Sequence, residues 1–441
     1  MRSSEHAFMQ PQAKQDVENA VLSCVIFKMV NGFRHTTHGV QMNFRCLDCG
    51  STFGRLRADL QCDACGGLLE WVMEREVTVS SLLPPPQDFN LWRYSALLPP
   101  TEDEKIISLS EGGTPLHYAE NLARSIGIDE LFIKNEGKNP TGSFKDRGMS
   151  VAVTMARASG ARVIICASTG NTASSMAAYG AKAGLKTVVV IPRGKIAKTK
   201  LAQCAEYGAR IVEVEGNFDV ALDFVRRNSG TDGTVVMNSV NPFRIEGQKT
   251  AAFEICDQLS SAPDWLVIPV GNGGNISSYW KGFSEFMSIG AISSLPRIAA
   301  VQAAGASPIV DAFKGNSETV KFYDEPETVA SAIRIGRPAN WKRALSAVRE
   351  SHGVAVAVTD REIIEARKSL ADREGILAEL ASASTVAAVK RLASENIIGK
   401  GQTVVCVATG NGLKDVAEHT ETIETDTISS SRELGRILTS I

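Results

Sequence analysis

The stretch Asn139-Pro140-Thr141-Gly142-Ser143-Phe144-Lys145-Asp146-Arg147-Gly148 decides how this chain is read. A polar loop carrying Asn139-Pro140 and Gly142 delivers Ser143, Phe144 and Lys145 to the start of a helix expected from about Asp146 to Ala158. A lysine at a helix N-terminus is electrostatically misplaced, because the positive end of the helix dipole repels a cation. The same field favours the neutral amine, which a Schiff-base lysine needs. A solvated surface lysine is the plainer reading of Lys145 alone, so its neighbours must decide.

Two loops of similar placement lie further along. Gly271-Asn272-Gly273-Gly274-Asn275 follows the apolar run Trp265–Val270 and opens a helical pattern. Small residues there leave backbone N–H groups free to approach an anion at a helix N-terminus. A plain tight turn would use the same glycines. The loop is neither G-x-G-x-x-G nor a P-loop, which argues against NAD and ATP. Ser168-Thr169-Gly170-Asn171-Thr172 stands after the run Ile164–Cys166 and adds hydroxyls and an amide. N-capping would account for Thr169 or Thr172 alone, but not for the cluster. Asn238 and Arg244 close a third segment, where a planar two-pronged guanidinium suits a phosphate. The blander alternative for Arg244 is an ion pair with Glu246 or another nearby carboxylate.

These loops sit in an alternating pattern. Leu131–Ile133, Arg162–Cys166, Thr187–Ile191, Arg210–Val214, Thr234–Met237, Trp265–Val270, Arg297–Gln302, Ala355–Val358 and Thr403–Ala408 read as buried strands, each followed by a helical segment. That order predicts an α/β fold with mainly parallel sheets, and the stretch is long enough for two of them. Ahead of it, residues 1–40 read as an extension with a short helix from Asp16 to Met29. Leu82-Leu83-Pro84-Pro85-Pro86 marks a boundary or lead-in arm. Residues 418–441 read as a tail with one short helical pattern, Arg432–Leu438.

Cys46-x-x-Cys49 and Cys62-x-x-Cys65 form two knuckles, with Gly50, Gly66 and Gly67 just after them. Two such knuckles can supply the four thiolates of a closed tetrahedral zinc site, structural because no coordination position stays open. Between Gln41 and Glu70 stand Arg45, Arg55 and Arg57 against Asp48, Asp59, Asp63 and Glu70, which disfavours a nucleic-acid ribbon. A docking or stabilising role fits better. Cys24, Cys166, Cys204, Cys256 and Cys406 are scattered and read as core residues.

The net charge of -2, from 47 basic and 49 acidic residues among 441, removes the global field expected of a polyanion binder. No apolar run approaches the roughly 18 residues a membrane span needs. The short run Ala20–Phe27 follows acidic residues and precedes no cleavage site, so a cytoplasmic, reducing location is expected, with no membrane partner.

Asn139–Gly148, Ser168–Thr172, Gly271–Asn275 and Ala408-Thr409-Gly410-Asn411-Gly412-Leu413-Lys414-Asp415 occur in this order in one family. Over roughly residues 40 to 415 the chain resembles the threonine synthases, which are fold-type-II, tryptophan-synthase-β-like pyridoxal-phosphate enzymes; some of them carry a four-cysteine ribbon. The resemblance implies a ribbon over residues 41–73, a discontinuous large domain of 74–136 and 241–417, and a small domain of 137–240. It implies that Lys145 forms the internal aldimine and that Asn171 bonds the pyridoxal 3′-oxygen. Gly271, Asn272, Gly273, Gly274 and Asn275 would hold the cofactor phosphate, and Thr409 would face the pyridine nitrogen. Residues matching Ser168, Thr172, Asn238 and Arg244 would hold the substrate phosphate.

The implied reaction turns O-phospho-L-homoserine and water into L-threonine and phosphate. A cysteate-synthase-like enzyme using O-phosphoserine and sulfite keeps the same lysine and loops. A serine or threonine dehydratase would leave the Asn238–Arg244 segment without a phosphate. A non-catalytic adaptor would not need an intact Lys145. One departure is visible: many relatives have histidine where this chain has Asn411, which weakens a histidine general acid there. Oligomeric state is not readable from the residues; members of the family are commonly dimers, which allows a homodimer.

Overall fold

All nine apolar runs form strands, and they divide between two sheets. In the computed structural model, residues 36–37, 40–56, 59–82, 89–194 and 198–415 are described. The expected helix Asp16–Met29, Cys24, the prolines 84–86 and the tail pattern Arg432–Leu438 lie outside the described residues.

The smaller sheet is parallel throughout, in the order Arg210–Val214, Lys186–Pro192, Val163–Ala167, Thr234–Val236. The larger has the order Val354–Val358, Arg297–Ala303, Trp265–Pro269, Thr403–Ala408, Glu130–Asn135, Leu116–Tyr118. Only the last pair is antiparallel. Trp265–Pro269 is buried along its whole length, as a central strand covered by helices on both faces must be. Arg210–Val214 is exposed or half-buried at every position, as befits an edge.

The last described strand in sequence, Thr403–Ala408, inserts between Trp265–Pro269 and Glu130–Asn135. Ala408 therefore pairs with Asn135, so the segments leading to Thr409 and to Lys145 leave the same edge side by side. Ligands of open parallel sheets bind beyond the carboxyl ends of the strands. The loops holding Lys145, Ser168 to Asn171, Asn238, Gly271 to Asn275 and Thr409 all follow such ends.

Two helices cross at very close range. A methyl group on Gly148 would lie 2.7 Å from the carbonyl oxygen of Arg244, and one on Gly247 would overlap the Arg147 carbonyl. Only glycine at both positions lets the helix Lys145–Ala158 meet the helix Pro242–Leu259 backbone to backbone. That contact sets the distance between Lys145 and Arg244.

The cysteine pairs fold into a three-stranded antiparallel ribbon, Thr52–Phe53, Asn43–Cys46 and Leu69–Val72. Its apolar residues Met42, Phe44, Leu56, Leu60, Leu69 and Trp71 are continuous with the core beneath the smaller sheet. Cys166, Cys204, Cys256 and Cys406 are buried, as core residues should be. No helix among the described residues is long and apolar enough to cross a membrane.

Candidate active site

The lysine loop is fixed by its own motif. Asp146 accepts hydrogen bonds from the Thr141 N–H and hydroxyl and from the Ser175 hydroxyl, all at 2.6 Å. Burial raises this carboxyl to about 6, while these donors pull the other way. Arg147, fully buried, is gripped on two sides by Glu136 and Glu254 at 2.6–2.8 Å. Glu254 also takes the Lys134 ammonium at 2.8 Å. Asp146 and Arg147 thus hold the backbone in place and leave Lys145, between Phe144 and Asp146, free of an ion-pair partner among the described residues.

Lys145 is the first residue of its helix. Burial and the nearby Arg244 cation push its amine well below the usual lysine range, and Glu379 partly opposes them. The Nζ atom lies 3.9 Å from the centre of the Phe144 ring. The expected neutral amine therefore has three physical causes, namely the helix end, burial and a like charge.

No side chain caps the helices starting at Lys145, Asn171 and Gly274. By contrast, Asn217, Asn241 and Thr359 cap theirs. Uncapped N-terminal N–H groups in a semi-buried setting are ready partners for an anion. Gly273 has φ +81, and a methyl group there would lie 2.8 Å from the Asn340 carbonyl. The side chain of Asn272 turns away to accept from the Ala339 N–H at 3.0 Å, so that loop offers mainly backbone donors. Both polar atoms of the Asn275 side chain are buried without a partner.

Unpartnered polar atoms recur on these loops and beside them. Ser143 Oγ, Asn171 Oδ1, Arg244 Nε, Asn340 Oδ1 and the two Asn275 atoms account for half of the buried side-chain atoms without a partner among the described residues. Native interiors rarely tolerate such atoms, so their clustering points to a polar ligand. Arg244 is buried, and among the described residues its guanidinium makes one hydrogen bond, from Nη1 to the Met237 carbonyl at 3.1 Å. Burial lowers its guanidinium to about 10. Glu246, its expected bland partner, is instead paired with Lys249 and Lys281. Asn238 holds the Ala167 backbone at both ends, 3.0 and 2.9 Å, which fixes the loop bearing Ser168; one amide hydrogen remains for a ligand. Ser168 and Thr172 are half-buried at the same loop.

Thr409 sits beyond the Thr403–Ala408 strand, its hydroxyl 3.0 Å from that of Ser382. Asn411 carries no proton chemistry; its side chain accepts from the Leu413 N–H at 3.0 Å. Two neighbours of these residues, Glu379 and Ser382, carried no role in the sequence. Glu379 is buried and accepts from Asn171 Nδ2 at 2.9 Å and from Lys200 Nζ at 3.1 Å. Ser382 supports Thr409. The only sequence signal for Glu379 was an acidic residue at a helix start, which the dipole alone would explain.

Residues 107–410 match the profile of a family described as pyridoxal-phosphate dependent enzyme. The chain belongs to this family. The threonine synthase of Methanocaldococcus jannaschii is 51% identical, over 84% of this chain and 92% of its own. That of Halalkalibacterium halodurans is 52% identical, over 76% and 92%. Within the pyridoxal-phosphate family, the chain thus groups with the threonine synthases. Among solved structures, the processed form of threonine deaminase isoform 2 from Solanum lycopersicum superposes with a TM-score of 0.60. It is 22% identical, covering 80% of this chain and all of that one, and so shares the fold.

Among the described residues, the four cysteines form a second grouping of ligand-type side chains. All four sulfurs lie within 4.8 Å of one another. The Cys46–Cys65 and Cys49–Cys62 separations are 3.5 and 3.6 Å. Asp48 and Ala64 N–H groups point at the sulfurs of Cys46 and Cys62, both at 3.4 Å. The two knuckles repeat each other, each closed by a glycine of φ +73.

Proposed function

We propose that the protein is a threonine synthase, turning O-phospho-L-homoserine and water into L-threonine and phosphate with Lys145 as the cofactor lysine. The observation that carries this reading is Arg244: a buried guanidinium with an unpartnered Nε and no carboxylate partner among the described residues, close enough to Lys145 to lower its basicity. A dehydratase would leave that cation uncompensated, at a cost proteins avoid.

The residues fit pyridoxal phosphate. The N–H groups and Asn275 of the Gly271–Asn275 loop would hold its phosphate, Asn171 its 3′-oxygen and Thr409 its ring nitrogen. When bound, the cofactor supplies an electron sink for charge developing beside the amino-acid nitrogen. Lys145 Nζ, kept neutral by its surroundings, takes the proton from the substrate Cα and serves again as acid and base at Cβ and Cγ. Arg244, Ser168, Thr172 and the remaining amide hydrogen of Asn238 hold the substrate phosphate oxygens. Water then adds at Cβ.

The four cysteines would hold a structural zinc ion. Zn–S bonds of roughly 2.3 Å in a tetrahedron put sulfurs about 3.8 Å apart, near the separations above. Free thiols and a thiolate metal site both suit a reducing cytoplasm. A homodimer without a nucleic-acid partner completes the reading. The deciding experiment offers the purified protein O-phosphohomoserine and O-phosphoserine with sulfite side by side, and identifies the amino acid released.

A further inference from the structure

The ribbon touches the catalytic core at unusual places. Phe44, fully buried in the strand Asn43–Cys46, meets Phe243 edge to face with ring centres 5.8 Å apart. Phe243 immediately precedes Arg244 in the first turn of the helix Pro242–Leu259. Trp71, paired with Phe44 across the ribbon, accepts Lys281 Nζ on its carbonyl at 3.2 Å. Its ring lies under Lys249 and Lys281. Lys249 belongs to the Arg244 helix, and Lys281 to the helix that the Gly271–Asn275 loop opens.

A third contact reaches the same loop from behind. Asp48, between Cys46 and Cys49, pairs with Lys342 at 2.6 Å, and Glu70 with Arg343 at 3.4 Å. Both basic residues stand in the first turn of the helix Trp341–Glu350. Just before that turn, the N–H groups of Ala339 and Asn340 hold the side chain and carbonyl of Asn272. The ribbon therefore grips the three helices whose first turns form or brace the two anion pockets.

We infer that the ribbon positions the anion pockets, with Phe44 as the positioning residue that holds Arg244 in reach of the substrate phosphate. The inference rests on the reading of Arg244 as the phosphate ligand. Its physical basis is the state of Arg244 itself. A buried cation with one backbone partner gains by swinging toward water, so its backbone has to be pinned. First turns of helices fray readily because their N–H groups lack intrahelical partners. Here the Asn241 cap holds one side of the turn, accepting from the Phe243 N–H at 3.1 Å. Phe44 holds the other by filling the space against the Phe243 ring. A shift of about 1 Å in a positioning group can cost on the order of 100-fold.

The test compares phosphate binding with stability. Inorganic phosphate is titrated calorimetrically into holoenzyme of wild type, Phe44→Leu, the milder Phe44→Met, Arg244→Lys and Leu370→Ala. Leu370 is buried in the core beneath the larger sheet and touches neither pocket, so it controls for lost stability. The expected result is a roughly 10-fold weaker phosphate affinity in Phe44→Leu and about 3-fold in Phe44→Met. KM for the phosphorylated substrate should rise in parallel with kcat changed less than about 2-fold. Leu370→Ala should lose thermal stability with unchanged phosphate affinity. If Arg244→Lys weakens phosphate but neither Phe44 variant does, the ribbon is not a positioning element and the functional reading stands. If Arg244→Lys leaves phosphate affinity unchanged, that reading fails and the inference with it. An equal loss in Leu370→Ala would also overturn the inference, because it would reduce the effect to general destabilisation.

Discussion

The N–H of Phe144 donates to the carbonyl of Thr409 at 3.0 Å, so the residue before Lys145 is tied to the residue assigned to the cofactor ring nitrogen. The two loops are also bridged at Ser143 and Gly410, and the Asn411 N–H donates to the Gly142 carbonyl at 2.9 Å. Lys145 and Thr409 are therefore held as one backbone unit. Their geometry does not depend on side-chain packing alone.

Thr409→Val keeps that backbone unit and removes only the hydroxyl. It should lower kcat about 10-fold, since loss of one oriented hydrogen bond near the reacting system is worth about 1–2 kcal/mol. The absorption band of bound cofactor should shift. Ser382→Ala, which removes the support of Thr409, should give a smaller effect in the same direction. Steady-state kinetics and absorption spectra of both variants check this.

Lys145 predicts a pH dependence of stability in the cofactor-free protein. Its amine is lowered when folded and ordinary when unfolded, so between the two pKa values the unfolded chain binds more protons. Stability conferred at this position is therefore lowest at low pH and recovers as pH rises toward the unfolded lysine value of about 10.4. Lys145→Met should be more stable than wild type near neutral pH, with the difference shrinking on the alkaline side. Denaturant titrations of the two proteins at pH 7 and 9.5 measure this. A constant difference would mean that the amine is not depressed.

Arg244→Ala should raise KM for the phosphorylated substrate by roughly 30- to 100-fold, the scale of losing charge-assisted hydrogen bonds to an anion. Cofactor affinity should change much less, because the Gly271–Asn275 loop is separate. Equal loss of both would mean that Arg244 is structural. Kinetics together with cofactor titration separate the outcomes.

Glu379→Gln should destabilise the protein by about 3 kcal/mol, since it leaves the buried Lys200 ammonium without its counter-charge. It should also lower the basicity of Lys145 further, because Glu379 is the carboxylate that opposes the depression. Equilibrium unfolding measures the first effect, and the alkaline dependence of cofactor attachment the second.

With zinc held by the ribbon as proposed, a chelator should lower the unfolding temperature by roughly 5–10 °C, as expected when a closed thiolate site is opened. The absorption of bound cofactor should not change. Prompt loss of the cofactor band in still-folded protein would contradict a structural role.

Much of this was legible in the residues. The nine strands announced themselves as short apolar runs, since parallel strands covered on both faces must be largely apolar. Leu116–Tyr118 was missed, being three residues on an edge between Pro115 and Ala119. The site loops were legible because glycines and small polar residues at strand ends have few other uses. What could not be read was partnership over long separations. Arg147 finds Glu254 107 residues away, and Asn171 finds Glu379 across 208. Such pairs carry no spacing signal. Arg244 shows the converse: nearby Glu246 was the plainer alternative to a phosphate as its partner, yet two lysines claim that carboxylate. The docking of the ribbon through Phe44 was equally silent, since one aromatic residue before a knuckle reads as ordinary ribbon core.

The most direct test of the central claim is the product formed from phosphorylated substrates by wild type and Lys145→Ala. Wild type should release phosphate and form L-threonine from O-phosphohomoserine, and should form no cysteate from O-phosphoserine and sulfite. Borohydride should attach the cofactor irreversibly to Lys145, and Lys145→Ala should be neither labelled nor active. Cysteate from O-phosphoserine, with no threonine from O-phosphohomoserine, would contradict the account.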